Sequence, residues 1–350
     1  MKRVAIYLLF LIFPLSAGAQ QPDVWTLERC IAHALEKNID VKIQRNLEQK
    51  AVYDRKQSQW ALLPSLDASA SEGFNFGRAA NQYNDITSGS TYNMSYGLSS
   101  SLNLFSGFTS LNAVAASRFN ELACSEATNL AKNTLVIGII GQFSQVLCQK
   151  ALIAVAKEKL DVSRAESERI AATIEAGQME SVAQDEINAT VSGNQLELSR
   201  AENQYRLLRL QLAQLIEIPG DSEFEVSAAG LEVLIPENSG LMVDSVYIAA
   251  CRIYPSILQR EYELEWYRKM LQISKGNLAP SLSVSGGYYS GFYSTDTLPN
   301  GQQTPVGTQF KEYLNPSLGL SLNIPFLNGR SRDFAVKRSR IDVENALYNL

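Results

Sequence analysis

A single histidine, His33, stands in 350 residues, and that scarcity removes most histidine-based acid–base and zinc chemistry at once. The four cysteines, Cys30, Cys124, Cys148 and Cys251, have no CxxC spacing. Cys124 and Cys148 fall in one continuous helical stretch, roughly 36 Å apart at 1.5 Å per residue, so isolated thiols are expected rather than a disulfide framework. The sequence holds no phosphate loop, nucleophile–base pair or metal-ligand cluster; Asp185 and Glu186 read as a solvated charge cluster on a helix turn. Positive charge is also short: 31 Lys and Arg against 36 Asp and Glu give a net charge of −5, which disfavours nucleic acid as a partner. Long apolar runs are missing beyond the N-terminus. The best of them, residues 135–141, stops at Gln142, well below the roughly 18 residues of a membrane helix, so entry into a membrane would require strands.

What is present begins with an export pattern. Lys2 and Arg3 precede the apolar run Val4 to Leu15 and the small residues Ala17-Gly18-Ala19. This predicts a secretory signal over residues 1–19 and a mature chain from Gln20 whose net charge, without Lys2 and Arg3, moves from −5 to −7. The run is too short for an anchor helix, and no cysteine follows it as a lipoprotein start would need.

An internal repeat organises the rest. Ala61-Leu62-Leu63-Pro64-Ser65-Leu66-Asp67-Ala68-Ser69 returns as Asn277-Leu278-Ala279-Pro280-Ser281-Leu282-Ser283-Val284-Ser285, and Leu102-Asn103-Leu104 before Gly107 returns as Leu322-Asn323-Ile324 before Gly329. Each copy runs helix, strand, polar loop, strand, then a glycine that opens another helix. Two large copies imply a duplicated unit rather than a solenoid of short repeats. The boundaries expected are a first repeat over 20–219, a joining segment over 220–240 and a second repeat over 241–350. The second is shorter than the first by roughly a hundred residues and reads as truncated.

The strand segments alternate with period two. From Tyr92 to Leu104, Asn93, Ser95, Gly97, Ser99, Ser101 and Asn103 alternate with Tyr92, Met94, Tyr96, Leu98, Ser100, Leu102 and Leu104; in the second copy Asn315, Ser317, Gly319, Ser321 and Asn323 alternate with Leu314, Pro316, Leu318, Leu320, Leu322 and Ile324. A soluble half-buried sheet alternates too. Here the polar set is almost wholly small and uncharged, and the runs approach the ~9–11 residues of a transmembrane strand. Aromatic residues (Phe74, Phe76, Tyr92, Tyr288, Tyr289, Tyr293 and Tyr313) gather towards the loop ends. The expectation is lipid on the apolar side and a water-filled lumen against Asn93, Ser95, Ser99, Ser101, Asn103, Asn315, Ser317, Ser321 and Asn323. Four strands cannot close a barrel; three copies supply twelve, enough for an open lumen.

Between Gly107 and Pro219 there is no proline, and the first break is Ala176-Gly177-Gln178, so one helix of about seventy residues is predicted. Its return partner carries a three-and-four seam: Ile187, Val191, Asn194, Leu198, Ala201, Tyr205, Leu208, Leu212 and Leu215. A helix of some 35 residues is predicted over about 26–60, and Val246, Ala250, Ile253, Ile257, Leu264 and Leu271 begin the second copy in the same phase.

The Leu-Leu-Pro-Ser-Leu and Leu-Ala-Pro-Ser-Leu strand starts, the run Ala176-Gly177-Gln178-Met179-Glu180-Ser181 ahead of the seam, and Leu215-Ile216-Glu217-Ile218-Pro219-Gly220 after it resemble the TolC, or outer-membrane efflux protein, family. The resemblance implies an α+β membrane fold: long coiled-coil hairpins plus four transmembrane strands per subunit. A homotrimer would then form a 12-stranded barrel and an α-helical tunnel. It implies a passive, non-enzymatic exit duct in outer-membrane lipid, without cofactors, serving an inner-membrane pump or secretion ATPase through a periplasmic adaptor. The docking tip would be Ala176, Gly177, Gln178, Met179, Glu180 and Ser181. In some members acidic residues narrow the tunnel at the second hairpin's tip, a segment that follows Leu350 in the family's order. A coiled-coil adaptor and a non-efflux porin are the competing readings; adaptors do not interrupt their helices twice with such strands, and porins lack heptads of this length.

Overall fold

In the computed structural model, residues 23–80, 86–88, 90–219, 224–229, 242–299, 301–326 and 329–350 are described. The expected signal at 1–19 and most of the segment 220–240 lie outside them. Two compact units are each assembled from both parts of the chain: residues 1–42 with 132–239, and residues 43–131 with 240–350.

The absence of proline after Gly107 has the predicted outcome, a 67-residue helix α3 (Thr109–Glu175), about 100 Å long at 1.5 Å per residue. In the first unit its later part runs against α4 (Val182–Leu215). Every residue of the predicted seam on α4 is buried or half-buried, with Asn194, Leu208 and Leu212 deepest. Polar groups cross the same interface. The Gln142 amide donates to the Leu208 carbonyl (3.0 Å), the Gln149 amide donates to the Ala201 carbonyl (3.1 Å), and Lys159 pairs with Glu197 at 2.8 Å. One 18-residue window of α3 reaches a mean hydropathy of 1.4, bilayer-like in composition, which a count of uninterrupted apolar residues does not register. Part of that apolar character is used in packing: Leu135, Ile139, Phe143 and Val146 join Leu208, Leu212 and Ile216 in the core of this unit.

That core is closed by α1 (Leu27–Lys37) and by a two-stranded parallel sheet, β1 (Asp23–Trp25) with β6 (Phe224–Val226). Trp25, Phe224 and Val226 enter the core, and the Trp25 and Phe224 rings meet edge to face at 6.3 Å. The joining segment therefore contributes a strand.

The single helix expected over 26–60 is two helices, α1 and α2 (Ile39–Trp60), divided at Asn38, whose ψ of 132° leaves the helical region. Asn38 accepts from the Val41 amide and donates to the Leu215 carbonyl, while Glu217 accepts from the Ile39 amide. The start of one helix and the end of another thus satisfy each other's unpaired backbone groups. Glu217 takes φ of 59° to do so. The second copy has the same division: α5 (Val243–Ile253) and α6 (Pro255–Gly276) are 11 and 22 residues long, as are α1 and α2, with Tyr254 between them.

In the second unit, β2 (Ser65–Asn75), β5 (Thr91–Phe105), β7 (Ser281–Tyr293) and β8 (Asn315–Asn323) form an antiparallel sheet in the order β2-β5-β7-β8. A short pair, β3 (Arg78–Ala80) and β4 (Ile86–Ser88), lies in the first strand-to-strand connection. Both strand-to-helix turns use consecutive left-handed residues, Gly107-Phe108 before α3 and Gly329-Arg330 before α8 (Ser331–Tyr348), so the duplication extends to backbone conformation. At the first turn a Cβ on Gly107 would strike the carbonyl oxygen of Gly276. Arg55 of α2 and Glu121 of α3 form an ion pair in this unit, and Ser274 of α6 bonds Ser339 of α8 at 2.8 Å.

Candidate functional site

Paired residues of an antiparallel ladder project to the same side, so the register sorts the sheet into two faces. One face is built of rows of small polar residues: Ser65, Ser101 and Ser285; Asp67, Ser99, Gly287 and Ser317; Ser71 with Ser95; Asn93 with Tyr293. Asn103, Ser283 and Ser321 form a further row, Tyr289 and Asn315 another, and Ser281 faces Asn323. All nine residues predicted as lumen-facing therefore share one face. Hydroxyls bridge the strands there, Ser65 to Ser101 at 3.0 Å and Ser71 to Ser95 at 2.7 Å, and the Asn75 amide donates to Asn93 at 3.3 Å.

The strand parities after Pro64 and Pro280 place β2 and β7 residues on this face as well. Asp67 is its one carboxylate among the four strands. The period-two signal that locates Ser99 also locates Asp67, though more faintly, because the first strand of each copy is weaker in apolar residues.

The opposite face is apolar. Leu66, Leu318, Leu320 and Leu322 are 71%, 85%, 68% and 61% exposed, so nothing among the described residues covers it there. Phe74, Tyr92 and Phe292 make an aromatic row across three strands, with centroids 4.7 and 5.9 Å apart. Glu72, on this face near the loop end, accepts a hydrogen bond from the Tyr92 hydroxyl at 2.6 Å. A β-bulge between Asn103 and Phe105 brings Phe105 opposite Leu282 at the other end. The aromatic cluster expected at the loop ends is divided between the faces: Phe74, Tyr92 and Tyr288 are on the apolar one, Tyr289 and Tyr293 on the polar one.

The connection after β7 is folded. A short helix, α7 (Val306–Glu312), lies on the apolar side: Ser290 donates to the Phe310 carbonyl (2.8 Å), and the Phe310 ring is 5.2 Å from Tyr96. Gln309, fully buried, accepts from the Tyr293 amide and donates to the Tyr293 and Thr304 carbonyls. β8 ends at Asn315 opposite Tyr289, so the Gln309 side chain satisfies the β7 backbone where no strand continues beside it.

In the other unit, the predicted tip is the turn between α3 and α4. The Gln178 amide donates to the Thr173 carbonyl and the Gly177 amide to Ile174, with Gly177 at φ 73°, which is the Schellman closure of a helix. Ala176, Gly177, Gln178, Met179, Glu180 and Ser181 are all exposed. Below the turn, the Glu166 carboxyl is held below the usual range by the hydrogen bonds and charge of Arg169. Among the described residues no group of His, Cys, Asp and Glu has the arrangement of a metal site.

Long paired helices joined to a two-faced antiparallel sheet are the architecture of solved outer-membrane channels. The chain is 18% identical to CusC, a protein whose solved structures concern folding and transmembrane channel formation, with a TM-score of 0.72 over 92% of this chain and 71% of that one. It is 14% identical to the outer membrane protein VceC of Vibrio cholerae (TM-score 0.73; 92% and 74% covered) and 17% identical to the open MtrE outer membrane channel of Neisseria gonorrhoeae (0.68; 92% and 68%). At these identities the likeness establishes the fold. No curated protein matches the chain by sequence. The outer membrane efflux protein family profile matches residues 30–216, more than half of the chain, and the chain belongs to that family of non-enzymatic outer-membrane efflux channels.

Proposed function

We propose that three copies of this chain close a 12-stranded barrel whose polar face lines the lumen, continued by their helices into a periplasmic tunnel. The observation that carries the proposal is the sheet itself: four strands that, among the described residues, have free edges on β2 and β8, an uncovered apolar face and a hydroxyl-lined face. In hydrocarbon the unpaired N–H and C=O groups of both edges must find partners, and β8 of one copy beside β2 of the next supplies them without adding a new element. Two copies give eight strands, whose interior side chains fill the bore, whereas twelve leave it open. Ile137, Ile140, Leu152 and Val155 are exposed apolar residues on α3, suited to contact with helices of a neighbouring copy.

In this reading the chain is exported by its N-terminal signal, and residues 20–219 and 241–350 are the two repeats. Cargo delivered by an inner-membrane pump or secretion ATPase enters through a periplasmic adaptor seated on residues 176–181, and passes outward without chemistry. The apolar face rests in outer-membrane lipid. The test is mass: light scattering of the full-length protein in detergent, corrected for the micelle, gives three copies. One or two copies would contradict the proposal.

A further inference from the structure

On a face made mostly of serine, asparagine and glycine, Tyr289 is one of two large rings, with Tyr293, and the glycines around it are what accommodate it. A Cβ placed on Gly97, its partner on β5, would lie 2.8 Å from Cδ1 and 2.9 Å from Cε1 of the ring, and 2.9 Å from Ser69 Oγ. A Cβ on Gly287, two residues earlier on β7, would lie 2.6 Å from Cε2 and 3.0 Å from both Cζ and Oη. Opposite edges of one ring thus occupy the space that side chains would fill at two glycines on adjacent strands. The ring is laid down across the sheet and remains 45% exposed on its outer side.

We infer that Tyr289, held flat over Gly97 and Gly287, sets the bore of the barrel at its own level and is a size-determining residue for what passes there. The inference rests on the lumen assignment made above. A flat ring adds little thickness to the wall; a ring displaced from its glycine bed has the sheet beneath it and must stand into the lumen, once per copy at one level of the barrel. Real side-chain carbons do not approach within 3.0 Å as these would, so even a methyl group at either glycine displaces the ring, the movable partner in the contact.

The experiment is single-channel conductance of the full-length protein in planar bilayers, for wild type, Gly97→Ala, Gly287→Ala, Tyr289→Ala and the two double variants. Each alanine at a glycine is expected to lower conductance by roughly 1.5-fold or more, and to have no such effect in the Tyr289→Ala background, because the narrowing is by the ring and not by the methyl group. Gly287→Ala is the cleaner variant, since the three atoms nearest its added carbon all belong to Tyr289, whereas Gly97→Ala also crowds Ser69. Wild-type conductance in the glycine variants, or an equal fall without Tyr289, would overturn the inference while leaving the conduit intact. Failure of the assembled wild-type protein to pass discrete ion currents would overturn the conduit reading and this inference with it.

Discussion

At the scale of single residues, burial and polarity separate structural groups from those that face the solvent path. Cys30 is fully buried in the core of the first unit, and burial, outweighing neighbouring Arg29, pushes its thiol up to about 11. A raised thiol pKa keeps the group protonated up to that pH, so at pH 8 roughly one molecule in a thousand carries the reactive thiolate. Alkylation of the native protein at pH 8, followed by mass spectrometry, should leave Cys30 unmodified until denaturant is added; rapid native modification would place it outside the core. Asp67 has the opposite character. It is exposed on the polar face and is the only carboxylate there among the four strands, so three copies would place a ring of three negative charges in the wall. Such rings favour cations. Asp67→Asn should lower the cation-to-anion permeability ratio by roughly twofold, measured as a shift in reversal potential across a salt gradient; an unchanged potential would remove Asp67 from the lumen.

At the scale of elements, the sequence is most legible where a period is long. The 67-residue helix and the seam from Ile187 to Leu215 follow from an uninterrupted repeat with no proline, and the two sheet faces follow from the alternation of small polar residues with larger apolar ones in β5 and β8, broken in β5 at Ser100. The break at Asn38 is less visible, because neither proline nor glycine marks it. Asparagine ends the helix by capping, and the residues that complete the junction, Leu215 bonded to Asn38 and Glu217 bonded to the Ile39 amide, are distant in sequence. Its counterpart in the second copy is announced by Pro255. Strands β1 and β6 have three residues each, too few to carry a period, and only their pairing makes them strands. Tyr289 and Tyr293 share the chemistry of Tyr288, but their parity sends them to the other face.

The tip is an element-scale question too. Gly177 occupies a left-handed conformation at a helix terminus with open space beside it, since a Cβ there would meet no atom within 4 Å. Gly177→Val therefore strains the turn by about 1–2 kcal/mol while leaving the α3–α4 seam in place. The expected result in cells producing the full-length protein is an assembled outer-membrane protein that no longer cross-links to its adaptor or exports cargo. Retained cross-linking with full export would reduce the turn to a helix reversal.

At the scale of the whole molecule, the central claim is that the four-stranded sheet is a wall with water on one side and lipid on the other. Its parity makes the claim testable residue by residue. Single cysteines at Ser95, Ser99 and Ser101 fall on the polar face, and those at Leu98 and Leu102 on the apolar face, along one strand and at nearly the same depth. Each substitution is placed in a full-length background whose native cysteines are replaced, and the protein is reconstituted in proteoliposomes and exposed to a small, charged, water-soluble thiol reagent. The account predicts rapid modification at 95, 99 and 101, and protection at 98 and 102 that is lost on transfer to denaturant. Equal rates on the two parities, or protection of the serine positions with modification of the leucine positions, would contradict it.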